Sequence, residues 1–126
     1  MRLSTIEFIG KSGSRYRYTT LDEDRFLPPA GANYVLAQLD SDGATVVLAG
    51  ETDNLSARVW RNRLEEARAR FGSNVHVLTR LNVRSAVRRE ELDDMLGQHH
   101  PPMNEDEGRS TPAAKPSQSL GDRAAS

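Results

Sequence analysis

Two apolar runs separated by four turn residues constrain this chain more than anything else in it. Asn33 to Leu39 and Thr45 to Ala49 flank Asp40-Ser41-Asp42-Gly43. An Asp-Gly pair suits a tight turn that needs positive φ, so the stretch predicts a β-hairpin. The second run ends in Gly50-Glu51-Thr52-Asp53-Asn54 and passes into a helical pattern. Asp53 or Asn54 can cap that helix, because either side-chain oxygen accepts from a free first-turn N–H. Trp60, Leu64, Ala67 and Phe71 fall at i, i+4, i+7 and i+11 and form one apolar stripe. Gly72 ends the helix. Val75 to Leu81 is a further strand, with Val75, Val77, Thr79 and Leu81 on one face and His76, Leu78 and Arg80 on the other. A second helix is predicted from about Arg84 to Gln98, with Leu92, Met95, Leu96 and His99 on one side and Pro101-Pro102 stopping it.

The N-terminal part reads as a separate hairpin. Ile6 to Ile9 and Tyr16 to Thr19 alternate on either side of Gly10-Lys11-Ser12-Gly13-Ser14. Gly10-Lys11-Ser12 lacks the preceding glycine of a P-loop and is followed by a strand, so it is read as a turn. Residues 21–31, with Pro28-Pro29, form a loop. From Glu105 onward the chain is Pro, Ser, Ala, Gly and charge, with Leu120 its one large apolar residue. Such a composition predicts disorder for 105–126. The expected organisation is therefore a hairpin and Pro-rich loop over 1–31, a domain over 32–104 and a tail over 105–126.

At 126 residues the chain holds one modest domain. It has no cysteine, which excludes disulfides and thiolate zinc sites. It has no apolar run long enough to span a bilayer and no apolar leader, so no membrane partner and a cytoplasmic location are expected. The net charge is −1, but nine arginines against four glutamates crowd residues 54–91. That segment is compatible with a phosphate-facing surface, although charge runs are commonly solvated helix faces. His99-His100 points apart at a helix end with no third ligand in view, and His76 reads as structural.

The order hairpin–helix–strand–helix, with Ala32-Asn33-Tyr34, Leu48-Ala49-Gly50, Arg58 and Asn104 in place, resembles the GIY-YIG nuclease superfamily over about residues 32–104. The fold this implies is a small α+β domain. Its three-stranded, mainly antiparallel sheet is flanked by helices and preceded by the N-terminal hairpin. The implied chemistry is phosphodiester hydrolysis with one divalent metal, Mg or Mn, held by a glutamate. A tyrosine helps activate water and an arginine steadies phosphate charge. Carried over residue by residue, Tyr34, Arg58 and Glu91 become the catalytic candidates. Glu91 is the metal ligand, and Arg58, Arg61 and Asn104 are nucleic-acid contacts, with DNA as the partner.

The chain departs from the pattern at several positions. Leu48 stands where the second motif has its tyrosine, and Asn62 where a histidine or tyrosine is common. A gapless count from Pro101 puts Leu92, not Glu91, at the metal position. Leucine cannot take part in proton transfer. The expectation is a divergent domain that keeps phosphate binding and has weak or no nuclease activity. An active metal-dependent DNA endonuclease with Glu91 as a shifted ligand, or a non-catalytic protein-interaction module, are the alternatives.

Overall fold

The computed structural model describes residues 4–109. Five strands are present: β1 (Thr5–Ile9), β2 (Arg15–Thr20), β3 (Ala32–Asp40), β4 (Gly43–Thr52) and β5 (Val75–Leu81). They form one antiparallel sheet in the order β1-β2-β5-β3-β4. The helices are α1 (Arg61–Phe71), α2 (Ser85–His99) and α3 (Pro102–Arg109), with a short 3-10 turn at Leu55–Ala57. No helix among the described residues is long and apolar enough to cross a membrane.

The sheet thus has five strands and not the three expected. The inner part, β4-β3-β5, is the expected unit. The N-terminal hairpin joins it: Thr19 pairs with Thr79 and Thr20 with Leu78. Two physical demands favour this. The outer side of β5 would otherwise present unpaired N–H and C=O groups. The apolar face of the hairpin, Phe8, Tyr16 and Tyr18, also needs cover, and α2 supplies it.

Strand alternation then builds one core on each face. Leu36, Val47, Leu48, Val75 and Val77 pack with Trp60 just before α1, Leu64 and Ala67 of α1 and Met103 of α3. Val35, Ala37, Val46, Ala49 and Leu78 pack with Phe8, Tyr18 and Met95. The register steps between Leu36 and Ala37, which face Leu48 and Val46 respectively. Val47 is the extra residue, and this bulge puts consecutive Val47 and Leu48 into one core. The hairpin turn closes as expected, with Gly43 at φ 135°.

Three local readings change. Asn54 does cap, its Oδ1 accepting from the Ser56 N–H at 3.1 Å, but it caps only the 3-10 turn. Arg58 ends that turn in the left-handed region at φ 53°, so it lies in the connection before α1 and not on the helix. A helix also runs through Glu105. Pro102 opens α3, where a missing N–H costs nothing at the first helical position, and the helix runs to Arg109. The expectation of disorder for 110–126 falls outside the described residues.

Candidate functional site

The β3–β4 register sets Tyr34 opposite Gly50, Asn33 opposite Glu51 and Ala32 opposite Thr52. Neighbouring residues of a strand face opposite ways. Tyr34 accordingly turns toward the α1 core, and its ring and hydroxyl lie where a Cβ on Gly50 would stand. Asn33 turns the other way and is fully buried. Its Nδ2 donates to the Arg88 carbonyl at 2.9 Å and its Oδ1 accepts from Asn82 Nδ2 at 3.2 Å.

Arg88 closes this network. Its Nε donates to Glu51 at 2.7 Å and its Nη1 to the Asn82 carbonyl at 2.8 Å, with only 5% of its side chain exposed. A Cβ on Gly31 would collide with that guanidinium, so the glycine leaves it room. A buried guanidinium needs such partners, because desolvation without them costs several kcal/mol, roughly. The start of β3, the end of β4, the loop after β5 and the first turn of α2 are pinned together here.

Beside the network opens a cleft of about 500 Å³, bordered by Tyr34, Asp53, Val59, Ser85, Arg88 and Arg89. Ser85 is the first residue of α2, and Val59 stands two residues before α1. Neither helix has a side-chain cap or an acidic residue in its first turn. At α1 the Arg61 N–H already donates to the Arg58 carbonyl at 3.0 Å, whereas the positive dipole end of α2, which borders the cleft at Ser85, is not neutralised by its own sequence. Arg88 is neutralised by Glu51, whereas Arg89 is exposed and makes no ion pair among the described residues. Asp53 is the carboxylate left on the rim.

The sequence-derived candidates fall in separate places. Tyr34 lines the cleft. Asn104 lies close by along β4, but its amide is committed to backbone: Oδ1 accepts from Ala49 N at 2.8 Å and Nδ2 donates to Ala49 O at 2.9 Å. It clamps α3 to the edge strand as a neighbouring strand would. Arg58 reaches back to the Pro-rich loop, donating to the carbonyls of Glu23 and, at 2.9 Å, of Arg25. Arg61 is exposed at the start of α1.

Glu91 is buried on the inner side of α2, three residues past Arg88, and faces β5. Arg80 grips both its oxygens, at 2.9 and 3.4 Å. Glu91 in turn raises the Arg80 pKa, chiefly through that hydrogen bond. Both carboxylate oxygens thus already face a cation. Among the described residues no group of three or more His, Asp or Glu side chains could hold a metal ion. Leu48, at the lost-tyrosine position, is a core residue 3% exposed. Pro101, which anchored the sequence count to Leu92, is buried where α2 gives way to α3.

Sequence reasoning missed Arg88, Glu51, Ser85 and Arg89. One signal was available: Arg88 precedes Leu92 by four and Met95 by seven residues, so it lies on the apolar side of α2. A charge on that side requires a buried partner. The Lys11–Ser12 turn is held against α2: Lys11 N donates to Asp94 O at 3.0 Å, and Ser12 N and Oγ to its carboxylate at 2.8 and 2.7 Å.

No family model, no curated protein and no solved structure matches the chain.

Proposed function

We propose that this chain is a divergent GIY-YIG-like domain that binds the phosphates of nucleic acid and does not cut them. The observation that carries the reading is the cleft where the uncapped start of α2 meets Tyr34 and Arg89. A phosphate there accepts from first-turn N–H groups of α2 and from the Arg89 guanidinium. Asp53 on the rim opposes tight binding, which suits a weak backbone contact. The case against cleavage is local. Leu48 carries no proton, Glu91 is held by Arg80, and Arg58 is held by loop carbonyls.

The test is fluorescence anisotropy with labelled DNA at low salt, beside a plasmid-nicking assay with Mg or Mn. Binding in the range of roughly 10⁻⁴–10⁻⁶ M is expected, falling with salt. Arg89→Ala should weaken it several-fold, and no nicking should appear. Binding indifferent to Arg89→Ala would overturn the cleft. Metal-dependent nicking that Glu91→Gln abolishes and Glu90→Gln spares would overturn the loss of cleavage.

A further inference from the structure

The ends of β2, β4 and β5 and the start of β3 share one end of the sheet, as the pairs Ala32–Thr52, Ala32–Leu81 and Thr20–Leu78 require. Of five exposed large apolar side chains among the described residues, four belong to this end: Phe26 (87% exposed), Val83 (79%), Leu81 (61%) and Val59 (52%). Exposure of a single apolar residue is ordinary, but four gathered at one end of a sheet form a surface.

Loops and helix starts at this end carry five arginines that make no ion pair among the described residues, Arg25, Arg58, Arg61, Arg84 and Arg89, against Asp22, Asp24 and Asp53. The local balance is positive on a chain whose net charge is −1.

Next to Phe26 is a hollow of about 230 Å³, walled by Leu21, Leu27, Pro28, Leu55 and Leu81, with Arg25 at its edge. It is smaller than an ordinary small-molecule pocket of roughly 300–1,000 Å³, so it takes one ring and not a whole ligand. Its walls are tied to the residues just before β3. Leu55 N donates to Ala30 O at 2.9 Å, and Asn82 N to Gly31 O at 2.9 Å. Arg58, by bonding the Glu23 and Arg25 carbonyls, fixes the loop that presents Phe26.

We infer that the ligand is single-stranded nucleic acid, with a phosphate in the cleft and an unpaired base in the hollow against Phe26. This rests on the proposed phosphate reading and adds the strandedness. An exposed aromatic beside guanidinium groups stacks any base, because every base has a π face, but the base must be free of its partner. A duplex offers no such face, and a duplex reader needs a larger basic excess than this rim has. Arg58 acts here as a positioning residue.

The experiment compares anisotropy of a labelled oligo(dT), an abasic oligonucleotide and a duplex of the same length on the whole chain, its Phe26→Ala variant and its Arg89→Ala variant. Phe26 is 87% exposed, so its truncation leaves the fold intact, which circular dichroism checks. The expected result is oligo(dT) bound roughly tenfold tighter than duplex or abasic strand. Phe26→Ala should remove that advantage and leave duplex and abasic binding unchanged, while Arg89→Ala weakens all three. Equal binding of all three ligands, weakened by Arg89→Ala and untouched by Phe26→Ala, overturns the strandedness and leaves the phosphate reading standing. No binding to any ligand overturns both. Sedimentation showing self-association that Phe26→Ala abolishes, with nucleic-acid binding unchanged, makes the face a protein contact and also overturns the inference.

Discussion

At the scale of single residues, two positions govern the geometry of the cleft. Gly50 is there because the Tyr34 ring fills its side-chain space, and Arg88 because four backbone segments meet around its guanidinium. Removing Arg88 leaves the Glu51 carboxylate and the Asn82 carbonyl short of a donor. Arg88→Met should cost about 2–3 kcal/mol in urea unfolding, at the low end for a buried pair because Glu51 keeps 26% of its side chain exposed. Adding Glu51→Gln should recover part of that loss, since the stranded charge is then gone. A double variant that loses the full sum of the single losses would contradict a direct pairing.

At the scale of elements, two clamps attach helices to the sheet by means that hydropathy does not reveal. Asn104 holds the start of α3 on the exposed edge of β4 through both polar atoms of its side chain. Asn104→Ala should cost about 1–2 kcal/mol and speed amide exchange at Ala49, whose N–H loses its acceptor. Asp94 holds the β1–β2 turn against α2. The Tyr16 hydroxyl, donating at 2.7 Å, and then Ser12 keep its carboxyl below the usual carboxylate range. Burial first, and then Asp94, pushes the Tyr16 phenol up. A depressed carboxyl contributes stability above its unfolded value, about 3.9, and loses it as pH falls through the folded value. Urea midpoints should therefore be flat in this contribution near neutrality and decline below about pH 4. In Asp94→Asn that share of the acid-limb decline should vanish, while stability at pH 7 drops.

At the scale of the whole molecule, one sheet serves two cores, so the N-terminal hairpin and the inner strands are expected to unfold together. Met95 is fully buried between α2 and strands from both parts, against Phe8, Tyr18, Val35 and Leu78 among others. Met95→Ala should lower stability by about 2–5 kcal/mol in a single transition seen alike by far-ultraviolet circular dichroism and by Trp60 fluorescence. Trp60 lies in the other core, on the α1 side. Separate transitions for the two probes would show that the hairpin and α2 melt apart from the α1 face.

Sequence by itself determined the elements whose signal is local. Asp42-Gly43 fixes a hairpin because positive φ is nearly free only for glycine. The stripe Trp60, Leu64, Ala67 and the alternation of β5 fix which faces are buried, because side-chain direction follows backbone period. Candidate residues could be chosen but not placed. Nothing local marks Arg58 as the left-handed end of a 3-10 turn. Glu91, four residues before Met95, lies beside the buried stripe, but that Arg80 grips it depends on how α2 crosses β5. The five-stranded sheet, the Arg88–Glu51 pair and the meeting of the α2 start with Tyr34 at one cleft join residues dozens of positions apart. Those contacts were decided by tertiary packing, because hydrogen-bond and charge partners across a sheet are set by register and layer order, and neither is written in any short stretch of sequence.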